Sequence, residues 1–138
     1  MATSFINIGV VYAGKGDFEN ALVHMQKGLE IQTRVFGSDH PDVAVSYTCI
    51  GNVYYGQGQY ERALEYYQKG LEINIKVSGQ DHPDLAMSKY NIARLKKTQG
   101  DLEGARRLFL ECEQIYLKAY GPDHSETVDA ARQASRCV

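Results

Sequence analysis

Three Asp-His pairs are the first groups in this sequence that could do chemistry: Asp39-His40, Asp81-His82 and Asp123-His124, each 42 residues from the next. A carboxylate beside an imidazole is the pairing of an acid/base dyad, and such donors also suit zinc. The spacing argues against a shared site. Equivalent residues of stacked units lie on the order of 10–20 Å apart, given helix spacings of 8–10 Å, whereas zinc holds its ligands at about 2 Å. Two of the pairs run straight into proline, as Asp39-His40-Pro41 and Asp81-His82-Pro83. Proline is preorganised for the first helical position and has no N–H to lose there. Aspartate favours the same end by capping and through the helix dipole. The pairs are therefore expected to start helices, with aspartate as the capping group.

Other reactive-looking groups read the same way. Gly9 to Lys15 matches the first seven positions of a phosphate-binding loop, but Gly16 follows where Ser or Thr is needed, and no strand precedes it. Its copy 42 residues on, Gly51 to Gln57, has no lysine. No serine or cysteine stands near a histidine in a nucleophile signature. Cys49, Cys112 and Cys137 are an odd number without close pairing, so free thiols in a reducing compartment, and hence a cytoplasmic location, are expected. The ten tyrosines fall mostly on recurring positions, which makes them core before they are a base-stacking platform. A formal charge of −2 carries no nucleic-acid or membrane footprint. No apolar run approaches the ~20 residues of a membrane span, and the first residues lack the charged and apolar regions of a signal peptide. No catalytic residue, cofactor or metal is expected; the reading is of a non-enzyme.

The elements that position these residues follow from one period. Residues 8–47 and 50–89 share 23 identities in 40 positions, and a period of this length signals stacked supersecondary units. Helices are expected from a cap at Thr3 or Ser4, with Phe5, Ile8, Val11 and Tyr12 on one side, and from Asp17, with Phe18, Ala21, Leu22, Met25, Leu29 and Val35 on one side. Further helices are expected over about Pro41–Tyr55, Gln59–Val77, Pro83–Thr98, Asp101–Tyr120 and Ser125–Arg136. Glycines at 14–16, 37, 56–58 and 79 separate them. Gly9, Gly51 and Ala93 face Ala21, Ala63 and Ala105, with Met25, Tyr67 and Phe109 beside them, so that small residues admit large neighbours.

This small/large pattern on antiparallel helices resembles the tetratricopeptide repeat (TPR). The 42-residue length and the linker Gly-x-Asp-His-Pro-Asp, at Gly37–Asp42 and Gly79–Asp84, are similar to the subtype of kinesin light chains and nephrocystin-like proteins. The resemblance implies an all-α solenoid winding as a right-handed superhelix. Its parts are three repeats, at about 2–37, 41–79 and 83–121, and a capping helix at about 125–136, in one domain of residues 1–138. The third repeat departs from the pattern, with Lys89, Lys96, Arg106 and Glu113 in place of Tyr47, Tyr54, Leu64 and Leu71, as suits a terminal unit facing water. The first repeat has no linker before it, as a cut from a longer array would leave.

Solenoids of this kind bind along the face lined by the first helix of each pair. Its register gives the columns Val10, Asn52, Arg94, Arg136; Asn7, Cys49, Asn91, Gln133; Ile6, Thr48, Tyr90, Arg132; and Ala13, Tyr55, Lys97. The resemblance implies that Asn7 and Asn91 contact the backbone of an extended peptide, with Cys49 breaking the series. The columns pass from apolar to basic, ending in Arg94, Lys97, Arg132 and Arg136 with Asp129 nearby. A protein or peptide partner with apolar and acidic parts is expected, or else a structural segment that self-associates end to end through Phe5 and Ile8. The chaperone-gripping carboxylate clamp is a poor match, because Ile6, Val10, Cys49 and Met87 stand at its polar positions.

Overall fold

The computed structural model describes residues 2–79 and 82–137, with side chains from Ser4 onward. Seven helices follow in order: α1 (Ala2–Gly14), α2 (Phe18–Phe36), α3 (Pro41–Gly56), α4 (Tyr60–Ser78), α5 (Pro83–Thr98), α6 (Leu102–Tyr120) and α7 (Ser125–Ser135). No strand occurs among the described residues. The chain divides into two compact units, residues 1–77 with α1–α4 and residues 78–138 with α5–α7.

One backbone device sets the period. Gly16, Gly37, Gly58, Gly79, Gly100 and Gly121 all have positive φ, between 77° and 90°, and each follows the last by 21 residues. A side chain is strained in that conformation, so glycine turns the chain after each helix from α1 to α6. Five of the seven helices begin on a side-chain cap. Asp17 and Asp101 accept from the backbone N–H groups of Asn20 and Gly104. At the other three starts the cap is histidine: Nδ1 of His40, His82 and His124 accepts the N–H of Asp42, Asp84 and Glu126, each at 3.1 Å. This corrects the expectation that aspartate caps there. Asp39 and Asp123 stand one residue too early, and Asp81, with Gln80, lies outside the described residues. Phe36 and Tyr120 stack on His40 and His124 with ring centroids 4.3 Å apart, which fixes the imidazole that makes the cap.

Within each unit, helix approach depends on the small residues. In unit 1 a Cβ placed on Gly9 would lie 2.6 Å from Cγ of Met25, and one on Gly51 would lie 2.8 Å from the Tyr67 ring. Gly70 admits Ala44 and Thr48 of α3 in the same way, at 3.1 and 3.2 Å. Ala21, Met25, Ile50, Val53 and Ile6 form the core there. In unit 2, Ala93, Ala105, Phe109, Ala134 and Cys137 do so. Three expectations for unit 1 fail. Ile8 and Val11 are 44% and 56% exposed, because Ile6 turns inward and leaves them on the far side of α1. Val35, 67% exposed, stands out from α2, whose last turns bury Gly28 and Gln32 instead. Helix α1 already includes Ala2, so Ser4 is no cap, and the side chain of Thr3 lies outside the described ones. Gln32 is buried because its amide oxygen accepts the hydroxyl of Ser46 on α3.

Candidate functional site

In unit 1, α1 and α3 lie side by side, and each turns one row of side chains outward. On α3 the row is Val45, Cys49 and Asn52, at i, i+4 and i+7 of one helical face; on α1 it is Asn7 and Val10. Val45 and Val10 are about half exposed, at 57% and 48%. Between the helices is an open cleft of about 460 Å³, with Val10, Ala13, Phe18, Cys49, Asn52 and Val53 among its walls. Its lining is apolar except for the Asn52 amide, whose Oδ1 accepts the Tyr67 hydroxyl. Burial raises the Cys49 thiol above its ordinary pKa, so it lines the cleft as a neutral, weakly polar group.

In unit 2 the corresponding face belongs to α5 and α7. Met87, Asn91 and Arg94 stand at the equivalent positions of α5, and Met87 is 59% exposed. Two bonds join the helices: the Tyr90 hydroxyl donates to Oδ2 of Asp129 at 2.6 Å, and Lys97 Nζ to Oε1 of Gln133 at 3.4 Å. Arg94, Arg132 and Arg136 are exposed. Asp129, the one acid foreseen among these cations, spends an oxygen on Tyr90. Burial, then this bond, pushes the Tyr90 hydroxyl up to about 12, so it remains a donor at neutral pH. The face is thus cationic with its acid already occupied.

Within its own unit, the structure brings together Asn7, Val10, Cys49 and Asn52, and likewise Asn91, Arg94, Lys97, Arg132 and Arg136. Asn7 and Asn91 make no hydrogen bond with the described residues, so both amides can donate and accept. Three expected residues do other work. Thr48 lies against Gly70 and gives its hydroxyl to the Ala44 carbonyl. Tyr55 packs edge-on to Tyr60, with ring centroids 5.4 Å apart. Tyr90 bridges to Asp129 and meets Phe109 edge-on at 5.2 Å. Val45 was not foreseen as part of the face, although its spacing to Cys49 and Asn52 is the signal that finds it. Among the described residues no group of three or more His, Cys, Asp or Glu could hold a metal ion, and no helix is long and apolar enough to cross a membrane. The three cysteines are free thiols.

Compared with known families, the sequence matches the tetratricopeptide repeat over residues 1–76 and again over 42–118. The chain belongs to the tetratricopeptide repeat family. No curated protein sequence matches it. Among solved structures, 98% of this TPR chain superposes on 64% of a kinesin-light-chain-type protein from P. anserina with nearly identical TPR-like repeats, at 21% identity and a TM-score of 0.85. It also superposes, over 99% of its length, on 47% of the apo form of RapI at 21% identity and a TM-score of 0.82. The N-terminal domain of stress-induced protein-1 from C. elegans matches 97% of the chain over 94% of its own length, at 18% identity and a TM-score of 0.66. The chain spans less than two thirds of the first two, and identities this low speak to fold alone. The TPR fold is that of a protein-interaction module, and the faces above are where its repeats differ in chemistry.

Proposed function

We propose that this TPR chain is a non-enzymatic adaptor that binds an extended segment of a protein partner, with unit 1 contacting apolar residues and unit 2 contacting acidic ones. The observation that carries this reading is the change of chemistry along equivalent rows. Val10, Cys49 and Val53 line the cleft of unit 1, while Arg94, Lys97, Arg132 and Arg136 crowd the face of unit 2. Asn7 and Asn91 supply amides that hold peptide backbone without reading side chains, and arginine forks hold carboxylates in two-bond geometry. The three free thiols favour a reducing compartment, the cytoplasm.

The test is binding of an acidic peptide and its charge-reversed counterpart to the wild type and to Arg94→Glu. The acidic peptide should lose about tenfold in affinity to the variant, and the reversed one should gain. Equal affinities in all four combinations would sink the proposal. Val10→Asp should weaken peptides through their apolar residues only. A second reading, end-to-end association as part of a larger array, is favoured by the exposure of Ile8 and Val11 on α1. Sedimentation of Ile8→Ser/Val11→Ser against the wild type tests it: no difference at any concentration removes that reading.

A further inference from the structure

Helix α6 carries an exposed row that its own unit does not use. Leu102, Arg106, Leu110, Glu113 and Leu117 fall within about 80° of one another around the helix at 100° per residue. The three leucines are 39%, 42% and 38% exposed. Helix α7 packs on α6 but leaves the leucines and Arg106 exposed, with Glu113 half-buried among them. In unit 1, Phe18, Leu22 and Leu29 of α2, equivalent to Leu102, Arg106 and Glu113, are packed against clusters that include Ile50 and Val43, whereas Gln26 and Thr33, equivalent to Leu110 and Leu117, are exposed polar residues. At two of its positions α6 thus exposes leucine where α2 exposes a polar residue, and the row bears a charge of each sign. Neither Arg106 nor Glu113 has an ion-pair partner among the described residues.

We propose that this row joins two copies of the chain, α6 against α6, antiparallel about a two-fold axis next to Leu110. The arrangement of the row selects this occupant. Leu102 and Leu117 lie equally far from a midpoint between Phe109 and Leu110, and Arg106 and Glu113 lie equally far from the same midpoint. Under a two-fold rotation Leu102 meets Leu117 of the other copy, Arg106 meets Glu113 twice over, and Leu110 packs at the axis. A C2 interface must be its own complement in this way. A surface shaped for an unlike partner has no reason to place opposite charges symmetrically about its centre. The row is about 22 Å long at 1.5 Å per residue, and antiparallel helices in contact stand 8–10 Å apart. One helix pair is a small interface, so the dimer is concentration-dependent.

Sedimentation equilibrium from micromolar to about millimolar protein tests this with Arg106→Glu, Glu113→Arg and their equimolar mixture. Arg106 is exposed and Glu113 half-buried, so circular dichroism checks that the helices of both variants remain. Each single variant faces like charges twice and should dimerise at least about tenfold more weakly than wild type. Mixing the two restores both ion pairs, so a heterodimer should form where neither variant self-associates. A wild type that stays monomeric throughout overturns the proposal. So does a dimer that survives both single reversals, since its contact must then lie elsewhere, as at Ile8 and Val11.

Discussion

The second and third hairpins build the same seam between their helices from opposite chemistry. In the second, Tyr66 stacks on Tyr54 at 5.4 Å and meets Tyr47 at 6.0 Å. Lys69 Nζ sits 5.0 Å from the Tyr66 ring centre and 5.6 Å from that of Tyr47, with Arg62 over Tyr54. Forty-two residues on, those tyrosines are Lys89, Lys96 and Leu108, and Lys69 is Glu111. There Lys89 Nζ pairs with Glu111 at 3.3 Å and Lys96 with Asp101 at 3.6 Å. Position 47 still touches 69, and 89 still touches 111; only the force between them has changed. The first hairpin is a third version, with His24 tilted between Phe5 and Tyr12. Seam chemistry is thus free to vary, while the small residues and turn glycines that hold the backbone recur.

The comparison breaks most visibly if its invariant part is attacked. Ala63 and Ala105 are fully buried at equivalent positions. Ala63→Arg should unfold unit 1 and Ala105→Arg unit 2, because a buried charge and an overpacked contact together cost several kcal/mol, a large share of a total near 5–15. A soluble Ala63→Arg variant with unchanged helical signal and melting would refute this. A mild effect in one hairpin and a severe one in the other would show that the seams matter more than the small residues.

Alkali is the next largest effect, and it acts more on unit 2, although unit 1 holds the raised thiol of Cys49. Burial pushes the Cys112 thiol, which donates to the Ala86 carbonyl, up to about 12. Tyr90 rises to about 12 by burial and by its bond to Asp129, and burial raises Tyr116 as well. These acids ionise more easily in the unfolded chain. Their stabilising contribution is complete below the unfolded values, near 9 for cysteine and 10 for tyrosine, and is lost as pH climbs toward the folded ones. Denaturant midpoints reporting on unit 2 should therefore fall between about pH 9 and 12, and Tyr90→Phe should remove part of that fall. A midpoint flat over this range contradicts the assignment.

A smaller effect tests the fit between small and large residues. Gly51→Ala adds a methyl 2.8 Å from the Tyr67 ring, and that ring is held by its hydroxyl bond to Asn52. The gain in helix propensity, ~1 kcal/mol, should lose to an overpacking cost of roughly 1–3 kcal/mol. The third hairpin already accepts Ala93 opposite Phe109, both fully buried, without a hydroxyl to tether the ring. Thermal melts should show Gly51→Ala destabilised and Gly51→Ala/Tyr67→Phe partly rescued. Equal melting of the two variants would mean that the tether plays no part.

What could be read from the sequence, and what could not, follows the range of the interaction. Helix ends were legible because Gly16, Gly37 and Pro41 act on their own backbone. The capping atom was missed by one residue, since Asp39 and His40 both have acceptors and only the geometry chooses Nδ1. On the candidate faces, Val10, Cys49, Asn52 and Arg94 were legible as one helical row repeated at a fixed period. Thr48 and Tyr90 were not, because their neighbours Gly70 and Asp129 are 22 and 39 residues away. Ile8 and Val11 illustrate the same limit: helical spacing marks a stripe of α1, and the partner helix decides which stripe is buried.

The smallest effect sharpens the comparison most, because salt should distinguish the two seams. The Lys89 side chain is 19% exposed and that of Glu111 45%, so this pair is partly solvated and worth at most about 1 kcal/mol. Raising ionic strength from about 0.1 to 1 M shortens the screening length from ~10 to ~3 Å, and an interaction between two full charges must weaken. Lys69 instead faces the quadrupoles of Tyr66 and Tyr47, whose field falls off too quickly for mobile ions to intervene. Double-mutant cycles on melting should give a Lys89/Glu111 coupling that declines with salt and a Lys69/Tyr66 coupling that holds. Parallel declines would mean that Lys69 is held by some other charge and that the two seams are less different than their residues imply.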